Sequence, residues 1–163
     1  MSLSHADLKR LLHYDPETGH WFRLTSFRAN YQAGDRADVP YVNGYRRVRI
    51  KKISYYAARL AIFYMTGAWP DEVTDHRNRI RDDDRWRNIR PATQSQNRAN
   101  SAKGKRRKMS KYKGVYKRKN RWVAHVHYRG KMYWAGSHLT EFAAHKAYDA
   151  KAKEVFGEFA RAR

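Results

Sequence analysis

The chain has 163 residues, of which 36 are Lys or Arg and 15 are Asp or Glu, so its formal net charge is +21. This length accommodates one ordinary domain or two small ones, and so large a positive charge points to a polyanionic partner, with nucleic acid the first candidate. The lack of cysteine excludes disulfide bonds and cysteine-ligated zinc.

Membrane association and secretion are not expected. No apolar run approaches the length of a membrane span, and no basic amphipathic helix stands alone. The N-terminal stretch MSLSHADLKRLLHYD has neither a continuous apolar segment nor a small-residue cleavage site. Aromatic residues make up 14% of the chain, which indicates small folded cores rather than a disordered basic tail.

The first forty residues predict a helix, a hairpin and a connection. Residues 4–12 predict a short helix with Ser4 as its N-cap. Residues 14–22 predict a hairpin, because an Asp-Pro pair opens a turn and Gly19 closes it before an aromatic strand. We interpret this hairpin as a plain packing element and residues 27–40 as a polar connection.

Residues 45–56 predict two strands joined by a Lys51-Lys52 turn, with apolar and basic residues alternating. The alternation leaves Arg47, Arg49 and Lys51 along one edge or face. That surface either lies against phosphates, as strands do in some groove binders, or is an ordinary solvated face, and the sequence favours neither.

Residues 57–90 predict an apolar helix, followed by a strand, a loop and a second strand that pairs with the first. Residues 57–66 predict the most apolar helix, which ends at Gly67. Residues 73–76 predict the end of a strand, residues 77–85 are too charged to be anything but an exposed loop, and residues 86–90 alternate as a short return strand does.

A capped helix then brings further polar groups into reach. Thr93 with Gln96 forms a capping-box pattern, and Asn97 falls one turn inside the helix, where it faces back toward Asp75 and His76. A carboxylate and an amide oxygen are hard metal ligands, and a neutral imidazole takes a proton from water near pH 7. The set suits a metal-assisted phosphodiesterase, although each residue alone is more often structural.

This stretch resembles the HNH endonucleases, in the variant with Asn at the third position that occurs in phage-borne homing endonucleases. The motifs that carry the resemblance are Asp75-His76, Asp82-Asp83-Asp84, Arg85-Trp86-Arg87-Asn88-Ile89-Arg90 and Thr93 to Asn97. The resemblance implies that His76 is the general base and that Asn88 braces the loop that carries it. It also implies that Asp75 and Asn97 hold one divalent ion, Mg²⁺ or alternatively Mn²⁺.

Two arginines and three departures from the family's usual residues complete the expectations for this site. Arg85 or Arg90 is expected to clamp a neighbouring phosphate, the alternative being a surface ion pair with the aspartates of residues 82–84. The chain has Ala58 where the family usually has His, Arg79 where Gly is common and Asp84 where Asn is common.

Residues 101–110 are expected to be a basic linker, and residues 111–163 predict three antiparallel strands backed by one helix. The strands are predicted at 111–116, 121–128 and 132–136, and the helix at 141–156 with Thr140 as its cap. Alternation turns Trp122, Ala124, Val126, Tyr133 and Ala135 toward the helix and leaves Val123, His125, His127, Met132 and Trp134 on the open face.

This half resembles the DNA-binding domain of plant Apetala-two/ethylene-response factors, which also occurs fused to phage HNH nucleases. The resemblance rests on Tyr112-Lys113-Gly114-Val115, Arg121-Trp122-Val123-Ala124, Trp134-Ala135-Gly136 and Ala143 to Asp149. It implies that the open face binds DNA through Lys113, Tyr116, Arg118, His125, His127, Met132 and Trp134. Because only Arg118 and Trp134 keep the family's usual residue type, no base preference is implied.

The expected fold is therefore α+β, with a ββα-metal nuclease domain at residues 1–100 (core motif 73–100), a linker at 101–110 and a DNA-binding domain at 111–163. Residues 101–163 carry +14 of the net charge. We expect a metal-dependent endonuclease that nicks double-stranded DNA, is a monomer or weak dimer, and acts in the cytoplasm of a phage-infected bacterium. The alternatives are a regulatory DNA-binding protein without cleavage and an RNA-binding protein.

Overall fold

A computed structural model describes residues 3–26, 31–101 and 110–160. It divides into two compact units, residues 1–92 and 93–163. Helices and small antiparallel sheets occur together, which confirms the mixed class expected from the sequence. The basic run at residues 105–108 lies outside the described residues. No helix in the described part of the chain has both the length and the apolar character needed to cross a membrane.

The first unit has two helices and three antiparallel sheets in its described residues. The helices are α1 (His5–Leu11) and α2 (Ala57–Thr66). The sheets pair β1 (Leu12–Tyr14) with β2 (Trp21–Arg23), then β3 (Asp38–Pro40) with β4 (Arg46–Ile50) and β5 (Ile53–Tyr56), then β6 (Val73–His76) with β7 (Ile89–Ala92).

Local signals account for the ends of the helices in this unit. The Ser4 hydroxyl accepts a hydrogen bond from the Asp7 backbone N–H at 3.0 Å and so caps α1, as predicted. Gly67 ends α2 in the left-handed conformation. The predicted hairpin at residues 14–22 and the turn between β4 and β5 are also present.

Strand β3 corrects the prediction of a polar connection over residues 27–40, of which 27–30 lie outside the described residues. The Asp38 carboxylate is buried, and it accepts hydrogen bonds from the Trp21 backbone N–H (2.9 Å), from Arg36 Nε (3.0 Å) and from Arg46. Burial acts to raise the pKa of Asp38, but these bonds outweigh it and the pKa is lowered. Trp21 in β2 and Arg46 in β4 therefore help to hold the strand in place.

Helix α2 supports the strands that carry the candidate site. Ala57, Leu60 and Ala61 are fully buried, and the helix packs on β4, β5, β6 and β7. Arg59 on the same helix donates to the Pro70 carbonyl oxygen at 2.8 Å, which fixes the chain shortly before β6. Ala58, at the position of the family's His, is buried within this core.

The return strand predicted at residues 86–90 is wrong in its first half. Residues Trp86–Asn88 form a 3-10 turn, and β7 begins at Ile89. The β6–β7 register places Asp75 opposite Arg90 and His76 opposite Ile89.

The second unit is a three-stranded antiparallel sheet packed on a long helix. Its elements are α3 (Gln94–Asn100), β8 (Val115–Arg118), β9 (Arg121–Tyr128), β10 (Lys131–His138) and α4 (Glu141–Phe156), with β9 at the centre of the sheet. Ala99 of α3 belongs to the same hydrophobic core as the sheet and α4. The sequence predicts instead that residues 94–100 belong to the nuclease domain.

The strand predicted at residues 111–116 begins later, at Val115. Gly114 precedes it with φ +67, and a Cβ at this position would lie 2.2 Å from the ring of Tyr148. Because the Tyr148 ring leaves no room for a Cβ, this position must be glycine, and it forms a turn instead of a strand. The requirement comes from α4 and not from the local sequence.

Candidate active site

The β6–β7 hairpin places Asp75 in a buried ion pair. Asp75 Oδ2 accepts hydrogen bonds from Arg90 Nε at 2.9 Å and from Arg90 Nη2 at 2.8 Å. The two residues are 3% and 6% exposed, so each charge is neutralised where water cannot solvate it. A metal ion bound by Oδ2 of Asp75 would have to displace Arg90.

His76, at the end of β6, forms a second buried pair with Asp84. His76 Nε2 lies 2.8 Å from Asp84 Oδ1, and the two side chains are 5% and 1% exposed. When Asp84 is ionised its carboxylate can only accept this bond, so Nε2 then carries the proton. The ring centroid of Tyr45 is 6.0 Å from that of His76.

The surroundings of Asp84 give its carboxyl unusual properties. Burial raises the pKa of Asp84, while the hydrogen bond from His76 acts in the opposite direction. Its second oxygen, Oδ2, is buried and has no hydrogen-bond partner among the described residues. The sequence identifies Asp84 as part of the aspartate motif, as a candidate partner of Arg85 or Arg90 and as a departure from the family, but not as the partner of His76.

The N-terminal hairpin holds the backbone on either side of Asp84. The Tyr14 hydroxyl donates to the Asp84 carbonyl oxygen at 2.6 Å, and the Trp86 N–H donates to the Pro16 carbonyl oxygen at 2.9 Å. A Cβ on Gly19 would lie 2.5 Å from the backbone of residues 84 and 85. The hairpin interpreted as a plain packing element therefore also positions the partner of His76.

Asn88 closes the loop that follows His76. Its Oδ1 accepts from the Asn78 backbone N–H at 3.0 Å, and its Nδ2 donates to the Asp83 carbonyl oxygen at 2.6 Å. The Arg77 N–H donates to the Asn88 carbonyl oxygen at 2.8 Å. The buried side-chain amide of Asn88 thus connects both sides of the loop, because its carbonyl oxygen accepts a hydrogen bond while its NH2 group donates one.

The two arginines expected to clamp phosphate are both in ion pairs. Arg90 is paired with Asp75, and Arg85 Nε donates to Asp83 Oδ1 at 2.6 Å. For Arg85 this is the alternative named from the sequence. The hydrogen bonds from Arg85 are the largest cause that lowers the pKa of Asp83 to about 2.

Asn97 lies in α3 and therefore in the second unit. Thr93 Oγ1 accepts from the Gln96 backbone N–H at 3.2 Å and Gln96 Oε1 accepts from the Thr93 N–H at 2.8 Å, which completes the predicted capping box. An Asp carboxylate and an Asn amide are donors that suit Mg²⁺. In the described part of the chain, no group of three or more His, Cys, Asp or Glu is arranged to hold a metal ion.

The open face of the second sheet carries aromatic and imidazole side chains. Trp134 is 52% exposed and Met132 is 60% exposed, and they lie opposite His125 and His127 on the neighbouring strand. Val123, predicted to lie on this open face, is buried, with 3% of its surface exposed.

Two basic residues expected to contact DNA have different surroundings. Lys113 Nζ donates to the backbone carbonyl oxygens of Arg98, of Ala99 (3.0 Å) and of Ser101 (3.3 Å), so it caps the C-terminal end of α3. Arg118 is exposed at the end of β8.

Residues 55–99 match the family model for HNH endonuclease, and no curated protein matches the chain. The matched segment contains Asp75, His76, Asn88 and Asn97. Such a domain implies nuclease activity on DNA, and HNH nucleases generally use a divalent metal ion. Residues 55–99 of this chain are therefore an HNH endonuclease family domain.

Proposed function

We propose that this protein is a metal-dependent endonuclease that nicks duplex DNA and uses residues 111–163 as a DNA-docking domain. The observation that carries the proposal is the buried His76–Asp84 pair inside a segment that matches the HNH endonuclease family. A phage homing role follows from the sequence resemblance alone.

In the proposed mechanism His76 is the general base. The imidazole takes a proton from water at Nδ1, and the Asp84 carboxylate stabilises the imidazolium that forms, since it already holds Nε2 at 2.8 Å. Asn88 keeps the loop in register through its two side-chain hydrogen bonds. Asp75 would supply a carboxylate ligand to the divalent ion, Mg²⁺ or Mn²⁺, which when bound neutralises charge that develops on the phosphate. Asn97 is proposed as a second ligand on the sequence resemblance alone.

The docking role of the second unit is supported by its charge and by its exposed side chains. Residues 101–163 hold most of the excess positive charge. Aromatic and basic groups that remain accessible on the sheet suit stacking and phosphate contacts. The residues proposed to contact DNA there are Tyr116, Arg118, His125, His127, Met132 and Trp134.

A plasmid-nicking assay with Mg²⁺ and with Mn²⁺ tests the enzymatic proposal. Wild type is expected to convert supercoiled plasmid to the nicked form, and His76→Ala is expected to lose at least a hundredfold in rate because general-base catalysis contributes about 10²–10⁴-fold. His13→Ala is the matched control, since His13 is exposed in β1 and has no part in the proposed site. Equal rates for wild type and His76→Ala would contradict the mechanism.

A second candidate function is DNA binding without cleavage. It is favoured by the burial of Asp75 and His76, which are 3% and 6% exposed, and by the ion pair that Asp75 forms with Arg90. Hydrolysis requires that water and a phosphate reach His76. If wild type binds duplex DNA in a gel shift but nicks with neither ion, this second function replaces the first.

A further inference from the structure

A cationic cavity of about 510 Å³ lies in the first unit, between the end of α1, the β1–β2 hairpin and the β4–β5 turn. Its floor is apolar and includes Leu12 and Ile50, which are 3% and 7% exposed. None of the described residues that line it is acidic. Four cations among the described residues line it: Arg23, Arg49, Lys51 and Lys52.

Arg23 is the most constrained of these cations. Its guanidinium carbon lies 4.5 Å from the centroid of the Tyr31 ring, which also lines the cavity. Its Nε is buried and has no hydrogen-bond partner among the described residues. A buried donor of a charged group is costly to leave unsatisfied, and an anion in the cavity would supply the missing acceptor.

The β4–β5 turn places two further cations at the cavity against local preference. Lys51 and Lys52 have φ values of +46 and +73. A two-residue hairpin turn with positive φ at both positions strongly favours Asn-Gly, because side chains larger than these are strained there. Lysine therefore adds nothing to the stability of the turn, and strain of this kind points to a role for the side chains themselves.

Further basic and aromatic side chains lie beside the cavity, on and around β4. Arg49, which lines the cavity, shares that face with Arg47, since the two are separated by one residue in the strand. The Arg47 guanidinium carbon lies 4.8 Å from the centroid of the Tyr41 ring, and the Tyr41 and Tyr56 rings are 5.6 Å apart. Basic and aromatic side chains thus extend the cationic surface beyond the cavity.

We infer that this cavity binds a phosphate of the DNA backbone, with the adjoining deoxyribose against the apolar floor, and that the first unit thereby docks DNA independently of the sheet in the second unit. The charge of the four cations is complementary to a phosphodiester, and the floor accommodates the sugar. That the ligand is DNA rests on the proposed function.

The test replaces the turn by residues that suit its backbone. The double variant Lys51→Asn/Lys52→Gly removes two charges while giving the turn its preferred sequence, so loss of binding cannot be ascribed to unfolding. In the full chain, without divalent ion, fluorescence anisotropy with a labelled duplex is measured across a salt series. The slope of log K against log salt is expected to fall by up to about 1.8, or about 0.9 for each lost phosphate contact.

The matched control is Lys9→Gln/Arg10→Gln, which removes two charges from α1 outside the cavity lining. It is expected to keep the wild-type slope. The inference would be overturned if the turn variant kept the wild-type slope, or if the slope fell equally in the turn variant and in the control. Because binding is read without cleavage, a wild type that binds but never nicks would refute the proposed function and leave this comparison intact.

A cross-linking measurement provides a second readout. The chain has no cysteine, so Lys52→Cys and Lys9→Cys each carry one thiol that can be labelled with a photo-cross-linker. The inference requires cross-links to the duplex from position 52 and at least tenfold fewer from position 9. Equal yields at the two positions would contradict it.

Discussion

Asp84 holds the imidazole of His76 through a hydrogen bond whose acceptor is a carboxylate, where the resembling family commonly has an amide. Either acceptor can orient the ring, but only the carboxylate also stabilises a positive charge on it. The chain keeps that carboxylate almost fully buried, with one oxygen lacking a hydrogen-bond partner among the described residues. The destabilising burial of Asp84 is therefore linked to the basic function proposed for His76.

Asp83, the neighbouring residue, gives a prediction for stability against pH. Hydrogen bonds from Arg85 and Asn78 lower its pKa to about 2 from an ordinary value of 3.8. The stabilisation is fully present above pH 3.8 and is lost as the pH falls toward 2. Asp83→Asn should lower the free energy of unfolding at pH 6 by about 1 kcal/mol, since Arg85 is partly exposed and solvent weakens the pair.

Urea unfolding at several pH values checks this expectation. The difference between wild type and Asp83→Asn should be constant from pH 5 to 7 and should close between about pH 4 and 2. The exposed neighbour Asp82 forms no ion pair with a described residue. The free energy of unfolding of Asp82→Asn should therefore not differ from that of wild type in a pH-dependent way. If wild type and Asp83→Asn still differed fully in their free energy of unfolding at pH 2, the stabilisation could not be assigned to the Asp83 carboxylate.

Among the secondary-structure elements, the β1–β2 hairpin links folding to the candidate site. Gly19→Ala would place a Cβ 2.5 Å from the backbone around Asp84 and Arg85, where little movement is possible because Tyr14 already holds the Asp84 carbonyl. We expect a loss of about 1–3 kcal/mol in stability from this overpacking, and a nicking rate reduced more than the folded fraction explains. Thermal unfolding and the plasmid assay measure the two effects.

Gly34→Ala is the matched control for that prediction. Gly34 has φ +91, so alanine there meets the same kind of backbone strain as at Gly19, but no described atom lies within 4 Å of its added Cβ. Gly34→Ala should therefore lose only the stability that backbone strain costs, without the cost of steric overlap, and should keep its nicking rate per folded molecule. Similar nicking losses in both variants would mean that the hairpin does not position Asp84.

The elements that could be predicted from the sequence are those fixed by their own residues. Helix α1 with Ser4, the capping box of α3, and strand β9 follow from short-range patterns, and the motif from Asp75 to Asn97 lies within the residues that match the HNH endonuclease family. Strand β3 and the late start of β8 depend on Asp38 and Gly114 meeting groups far along the chain. The pairing of His76 with Asp84 has the same non-local origin, through the hairpin.

At the scale of the whole molecule, the distribution of charge separates two contributions to DNA binding. Both parts of the sequence are basic, +7 in residues 1–100 and +14 in residues 101–163, so much of the affinity should come from released counterions and should fall steeply with salt. Apolar contacts do not weaken in this way. The exposed Trp134 and Met132 are the side chains best suited to supply them in the second unit.

Trp134→Ala in the full chain tests this separation. It should weaken duplex binding roughly tenfold, or about 1.4 kcal/mol, and the factor should persist at high salt because stacking and burial do not depend on counterions. Phe142 provides the matched control, since it is an exposed aromatic on α4, 55% exposed against 52% for Trp134. Phe142→Ala should bind as wild type does, and both variants should unfold within about 0.5 kcal/mol of wild type.

The turn variant Lys51→Asn/Lys52→Gly should differ from Trp134→Ala in how its DNA-binding defect depends on salt. Its binding defect should shrink as salt rises, because the phosphate contacts it removes contribute less when counterions are abundant. The Trp134→Ala defect should stay nearly constant over the same series. If both defects shrink together, the open face of the second sheet contributes to binding only through charge, and the docking role proposed for Trp134 is wrong.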